Sequence, residues 1–360
     1  LQKRACTHFL KLIDAALADL SQPVATIDLV DDAEKRQLDH LSKGTPLPIT
    51  ETVLQRFEAQ VERSPDAIAL TCNETTLTYL QLNNKANQLA HLLISQGVTT
   101  ETPVALFLHR SLNMLVAIWG VLKAGGTYVP IDPTYPVSRV SFILQDTTAK
   151  WVITQSTLSN SPEVSHSDTT VIAIDQLDLT SYSIQWAEGQ DVRGRQLAFP
   201  LFSPLSFDLT VTSLYLPLIS GGQAVIYPED EAAIDLSLQR IFQENAVDVI
   251  TLTPSHLALV RGMPMPSRLK VLVLGGEDLK ASLAKEVTQG TSIELYNEYG
   301  PTEATVGCMI HRFDPNIDSG PNSPNEPISV PIGRPAAGVD IHLLDEHFNR
   351  VPLGDVGEIF

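Results

Sequence analysis

Between Gln223 and Tyr296 the chain alternates short apolar runs with amphipathic segments, and this alternation limits the folds open to it. Gln223–Tyr227, Val247–Leu252, Leu269–Leu274 and Ser292–Tyr296 have the length and apolar content of buried strands, whereas Leu236–Asn245, Ser255–Arg261 and Leu279–Val287 carry helical spacing. Gly262, just past Arg261, is a helix stop signal. Strands alternating with helices predict an α/β fold, a parallel sheet with helices on both faces. Right-handed crossovers then gather the C-terminal ends of the strands along one edge, where open α/β sheets bind ligands. Thr251, Gly275-Gly276-Glu277 and Tyr299-Gly300-Pro301-Thr302 all lie at or just past those ends.

The first half reads the same way. A helix opens at Thr52 and runs to Arg63, where Ser64-Pro65 stops it. Thr78-Tyr79-Leu80-Gln81 is a capping box, and Leu82, Ala86, Leu89 and Leu93 behind it fall on one helical face. Strand Val104–Leu108 and helix Leu112–Lys123 follow, closed by Gly125-Gly126; Trp151–Thr154 and Val171–Ile174 are short strands. Residues 1–46 begin with an amphipathic helix carrying Phe9, Leu10, Leu12, Ile13, Ala16 and Leu20, then become linker-like up to Gly44-Thr45-Pro46. Residues 156–170 and 312–328 are polar surface loops.

Bulk properties narrow the function. A chain of 360 residues, 43% hydrophobic, buries a substantial core in two or more lobes. A net charge of −18 argues against nucleic acid and anionic membrane surfaces, and means that an anionic ligand needs a local positive group or a metal. No apolar run reaches the ~18 residues of a bilayer-spanning helix. The chain starts at Leu1 with no signal-like pattern, so it reads as a piece of a longer cytoplasmic protein. Cys6, Cys72 and Cys308 are isolated and read as reduced thiols.

The stretch Tyr296-Asn297-Glu298-Tyr299-Gly300-Pro301-Thr302-Glu303 concentrates ligand chemistry. Gly300 lets backbone approach closely and Pro301 fixes the turn. Tyr299 offers a flat face for a base, Thr302 a donor for a phosphate oxygen, and Glu303 a hard oxygen ligand for Mg²⁺.

Leu122-Lys123-Ala124-Gly125-Gly126-Thr127-Tyr128-Val129-Pro130-Ile131-Asp132 resembles the corresponding motif in adenylation domains of nonribosomal peptide synthetases. Leu77 to Leu82, Phe207-Asp208-Leu209-Thr210, Asn297 to Glu303 and Gly354-Asp355-Val356-Gly357-Glu358-Ile359 are similar to further motifs of that family, in the same order. The resemblance covers essentially the whole chain. It implies two stacked parallel-sheet α/β lobes, 47–199 and 200–330, followed by the start of a β-barrel-like subdomain at 331–360. Residues 1–46 would be the linker following a condensation domain.

The resemblance also implies an activity: an amino acid and ATP form an aminoacyl-adenylate, whose acyl group then passes to the phosphopantetheine thiol of a carrier domain. Asp208 would pair with the substrate ammonium, and Tyr299 would stack on adenine. Thr302 would meet a phosphate, Glu303 would hold Mg²⁺, and Gly275, Gly276 and Glu277 would lie along the nucleotide. Asp208, Leu209, Thr212, Thr251, Val273, Gly275, Glu298, Val306 and Gly307 would line the side-chain pocket. That small polar set is similar to pockets associated with asparagine, since Glu298 accepts from an amide and repels a carboxylate. Two other readings stand beside it: a degenerate domain with a scaffolding role, and a free-standing acyl- or aryl-acid ligase. Asp208 disfavours the latter, because such an acid has no ammonium group to meet it.

The sequence departs from the family in two places. A Gly/Ser/Thr-rich phosphate loop ending in Lys-Gly is expected before the Phe207-Asp208 motif, yet Gln196-Leu197-Ala198-Phe199 runs straight into Pro200-Leu201-Phe202. Backbone amides of such a loop cradle phosphates. The family also continues past Gly357-Glu358-Ile359-Phe360 into a small lobe bearing a lysine that contacts the reacting groups, so a chain ending here is expected to bind substrates better than it reacts them.

Overall fold

The computed structural model describes residues 2–24, 27–48, 50–162, 164, 169–179, 197–229, 235–318 and 329–360. Parts of the loops read at 156–170 and 312–328 lie outside them. The chain divides into a smaller unit, Leu1–Ile49 with Asn297–Arg312 and Pro331–Phe360, and a larger one, Thr50–Tyr296 with Phe313–Val330.

The smaller unit opens with helices α1 (Gln2–Ala18) and α2 (Asp32–Ser42), the latter capped by the Asp31 carboxylate on the Glu34 amide. Glu34 is buried, 2.7 Å from His8 Nε2, and accepts from the Leu353 amide at 3.0 Å. Arg4 donates to Leu353 O at 2.7 Å and Gly44 N–H to Val339 O at 2.8 Å. The segment expected as a linker is thus hydrogen-bonded to residues 339–353.

In the larger unit, helix α3 (Val53–Arg63) leads to hairpin β1 (Ile68–Cys72) and β2 (Thr75–Thr78), then α4 (Tyr79–Ser95). The predicted capping box is present: Thr78 accepts from the Gln81 amide and Gln81 from the Thr78 amide. Strands β3 (Pro103–Phe107), β4 (Thr127–Ile131), β5 (Trp151–Thr154) and β6 (Thr170–Ala173) form one all-parallel sheet in the order β4-β3-β5-β6. Helix α5 (Leu112–Lys123) joins β3 to β4, and its middle, Met114 to Val121, is buried and apolar on every side. Helix α6 (Val137–Asp146) joins β4 to β5.

Strands β7 (Ala198–Leu201) and β8 (Gln223–Ile226), joined by α7 (Thr210–Ser220), depart from expectation. Read as the opening of the second lobe, β8 instead pairs in parallel with β1 on one side and β7 on the other. Leu70, Ala224 and Leu201 share one core with Val104, Leu106 and Ile153 of the first sheet through the buried faces of α4 and α5. A second core surrounds β9 (Val249–Leu252), β10 (Val271–Gly275) and helices α8 (Ser237–Glu244), α9 (Pro254–Leu259) and α10 (Ala281–Thr288). Strands β9 and β10 pair in parallel, and Glu294 N–H donates to Lys270 O where β11 (Glu294–Tyr299) begins.

Strand β11 ends in the smaller unit, which then adds antiparallel β12 (Met309–Arg312) with β13 (Arg334–Pro335) and β14 (Leu343–Leu344) with β15 (Glu358–Ile359). No helix among the described residues is long and apolar enough to cross a membrane.

Candidate functional site

In the larger unit the strand register sorts the predicted residues. Thr251 lies beside Val273 in the β9–β10 ladder. Side chains alternate across a strand, so Ile250, Leu252, Leu272 and Leu274 fill the core while Thr251, Val273 and Gly275 share the opposite face. Helix α7 packs against β9. Leu209, just before α7, puts Cδ1 3.7 Å from where a side chain on Gly276 would begin. Thr251 is 6% exposed, and its Oγ1 has no hydrogen-bond partner among the described residues. Thr212 is half-buried on α7. Glu277, expected along the nucleotide, has its carboxylate engaged by the Ser255 hydroxyl at 2.6 Å and amide at 3.0 Å. The Ser255 hydroxyl and amide together hold Glu277 below the usual carboxylate range, against a smaller opposing effect of burial.

Asp208 stands at a cavity of about 430 Å³ that it shares with Gly126, Thr127, Tyr128, Ser206 and Val211. None of these five neighbours was assigned a site role from sequence, although Gly126 to Tyr128 belong to the motif from Leu122 to Asp132. Tyr215 of α7 donates to Tyr128 at 3.0 Å, and burial pushes the Tyr215 phenol well up, so it stays protonated. Lys123 of the same motif is structural: it is buried, ion-paired with Glu58 and 6.0 Å from the Phe57 ring centre. Burial pulls its ammonium below the usual value.

In the smaller unit the other predicted residues occupy one hairpin turn. Cys308 N–H donates to Tyr299 O at 2.9 Å, which carries β11 through to Tyr299. A Cβ on Gly300 would lie 2.4 Å from Val306 O, so only glycine allows this close approach of backbone. Thr302, Glu303 and Ala304 form a single 3₁₀ turn. Thr305 and Val306 follow at φ of 62° and 72°, a left-handed conformation that β-branched residues rarely adopt. A Cβ on Gly307 would meet Glu298 Oε1 at 2.4 Å, so the glycine makes room for that carboxylate. Tyr299 is 37% exposed, and Thr302 and Glu303 are exposed.

Among the described residues no group of three or more His, Cys, Asp or Glu could hold a metal. The exposed Glu303 suits Mg²⁺ nonetheless, since that ion commonly takes one or two carboxylates and completes its shell with phosphate oxygens and water.

The link between β7 and α7 is short and internally bonded. Ser203 Oγ is 2.7 Å from Thr210 Oγ1, Thr210 donates to Pro204 O at 2.8 Å, and Phe207 N–H to Pro204 O at 3.0 Å. It holds no glycine and no lysine.

The AMP-binding enzyme family matches residues 57–199 and 179–360, and the chain belongs to that family. Within it, the sequence is 36% identical to bacitracin synthase 3 of Bacillus licheniformis, over 98% of this chain and 6% of that protein. It is 33% identical to tyrocidine synthase 3 of Brevibacillus parabrevis, again over 98% of this chain and 6% of that one. The chain therefore spans a small fraction of these relatives. The crystal structure of the nonribosomal peptide synthetase FmoA3 superposes with a TM-score of 0.85 at 24% identity, over 99% of this chain and 42% of that one. FmoA3 has also been seen with AMPPNP and with alpha-methyl-L-serine-AMP bound. The resemblance to adenylation domains of nonribosomal peptide synthetases is borne out, as is the α/β fold. The family matches in two stretches that overlap over residues 179–199, and the bacitracin synthase alignment runs over 392 positions against 360 residues here. Relatives therefore carry residues that this chain lacks.

Proposed function

We propose that this chain binds ATP and an amino acid as the adenylating part of a peptide-assembling enzyme, and that asparagine is the amino acid. In that reaction a carboxylate oxygen bonds to the α-phosphorus, the α–β phosphoanhydride breaks, and pyrophosphate leaves. Transfer to a carrier-domain phosphopantetheine thiol would then form a thioester and release AMP. Such a protein would work in the cytoplasm beside condensation and carrier domains.

Asp208 pairs with the substrate ammonium, Tyr299 stacks on adenine, Thr302 meets a phosphate and Glu303 holds Mg²⁺. Mg²⁺ supplies positive charge against the negative charge crowding at phosphorus. Glu303→Gln should accordingly weaken the Mg²⁺ dependence of AMPPNP binding. The observation that carries the asparagine reading is the buried Thr251 hydroxyl, which has no partner among the described residues and lies on the strand face opposite the core. A polar side chain satisfies it, whereas an apolar one leaves it bare. Glu298 favours an amide over a carboxylate, Gly307 leaves room for Glu298 itself, and Gly275 leaves space for a short side chain.

Calorimetric binding of aminoacyl-sulfamoyladenosines, stable mimics of the adenylates, tests this on the chain itself. Asparaginyl should bind tightest and aspartyl second, with aromatic and large aliphatic members far weaker. An aromatic or aliphatic winner overturns the asparagine reading. No binding by any member overturns the activity.

A further inference from the structure

We propose that Tyr135 is a positioning residue for Asp208: through Ser206 it fixes the loop from which that carboxylate is presented. The inference rests on the reading of Asp208 as the ammonium partner. Tyr135 follows β4, whereas residues 202–208 follow β7, and the two strands belong to different sheets. The Tyr135 hydroxyl donates to Ser206 Oγ at 3.1 Å, so one hydrogen bond ties the end of one sheet to the end of the other.

Both partners are held for the purpose. Asp132 accepts from the Thr134 amide at 2.8 Å and its carbonyl from the Tyr135 amide at 3.0 Å, which makes the tyrosine's own turn rigid. The Arg139 guanidinium lies 4.2 Å from the Tyr135 ring centre and steadies the ring. Asp132 and Pro133 line, with Pro204, Leu205 and Ser206, a void of only about 20 Å³, so the two loops meet almost without a gap. On the other side, the Ser203–Thr210 and Thr210–Pro204 bonds join the loop to the first turn of α7. Asp208 sits between these two fixed points, two residues from Ser206.

Tyr135→Phe keeps the ring and the arginine contact and removes only the hydroxyl. Amide exchange across residues 203–211 should accelerate by roughly two- to tenfold, the scale of one exposed hydrogen bond. Affinity for asparaginyl-sulfamoyladenosine should fall by a similar factor. Affinity for its des-amino analogue, 3-carbamoylpropanoyl-sulfamoyladenosine, should not change, because that molecule has no ammonium group for Asp208. Ser206→Ala should reproduce both effects, and the double variant should add nothing further. Unchanged exchange in 203–211, or an equal loss for both analogues, overturns the proposal. If the wild-type chain binds both analogues equally, it is the ammonium reading of Asp208 that falls. Hydrogen exchange then decides on its own whether Tyr135 holds the loop.

Discussion

The residues carried by β9, β10 and the start of α7 and those carried by the turn after β11 reach their positions by different physics. Thr251 and Val273 are placed by strand register, over a core that includes Ile250, Leu252, Leu272 and Leu274 at no more than 1% exposure. Glu298 to Gly307 are placed by backbone: Gly300, where a Cβ would strike main-chain atoms, and two β-branched residues at positive φ. In the first region the side chains carry the chemistry and the scaffold tolerates their exchange. In the second the scaffold itself is the sensitive part. Residues in sparsely populated conformations persist only where the surroundings enforce them, and such strain clusters at functional sites.

The largest effect should come from a side chain in the first region. Asp208→Ala should weaken every aminoacyl-sulfamoyladenosine by about 2–5 kcal/mol, the cost of removing one partner of a desolvated charge pair. The fold should survive. Calorimetry across several side chains checks this, and a loss confined to one side chain would make Asp208 a pocket wall.

Next come the two glycines of the turn, which should fail differently. At Gly300 a new methyl meets the Val306 carbonyl, part of the backbone, and Gly300→Ala should destabilise the protein by roughly 1–3 kcal/mol. At Gly307 it meets the Glu298 side chain from Cγ at 2.8 Å out to Oε1 at 2.4 Å, so that side chain, not the backbone, must turn to another rotamer. Gly307→Ala should therefore lower the melting temperature less than Gly300→Ala while eroding the preference for asparaginyl over aspartyl. Equal melting temperatures for the two variants would erase the contrast between backbone and side chain.

How much of this was legible in the sequence follows the same divide between local and distant. The capping box at Thr78 and Gln81 could be read because its partners are three residues apart. The alternation of β9, α9, β10 and α10 could be read from periodicity, with ends shifted by one or two residues. The pairing of β8 with β1 could not, because apolar content does not specify a partner strand some 150 residues away. Strand β11 was expected to stop at Tyr296; it runs to Tyr299 because Cys308, beyond the turn, returns to pair with it. Of the site, Asp208 and the glycines stood out by type, while Tyr128 and Ser206 beside Asp208 did not. Tyr128 reaches it, and Tyr135 reaches Ser206, only where separate sheets meet, which no local pattern records. The left-handed Thr305 and Val306 ran against their own propensities.

Smaller in effect is the anchor at the opposite end of β9. Asp248 is 3% exposed and accepts from Lys270 at 2.8 Å, Arg268 at 3.0 Å and the Ala198 amide at 3.0 Å. Burial alone would raise its pKa, but these donors outweigh it and leave the carboxyl below the usual range. A depressed carboxyl stabilises the fold above the unfolded-state value near ~3.9, and that contribution disappears as pH falls through the folded value. Denaturant melts should therefore show stability dropping below about pH 4 in the wild type. Asp248→Asn should lose about 1–3 kcal/mol at neutral pH, with a shallower acid limb. Because the register of β9 sets Thr251, the variant should also loosen ligand binding. Intact binding with reduced stability would show that the core alone holds the register.

The smallest change separates pocket from scaffold at a single residue. Thr251→Val exchanges a hydroxyl for a methyl of nearly the same shape, at a strand position where β-branched residues are well suited. The native hydroxyl is buried with no hydrogen-bond partner among the described residues, so the folded chain carries its desolvation cost. Removing it should leave stability unchanged or raise it by up to about 1 kcal/mol. Binding should move the other way. Asparaginyl-sulfamoyladenosine loses an acceptor contact and should weaken by roughly tenfold, while the leucyl analogue no longer strands a polar group and should gain. Melting curves and calorimetry on one preparation read both quantities. A loss of stability with no change in selectivity would make Thr251 part of the scaffold, and the polar pocket would then have to be sought elsewhere.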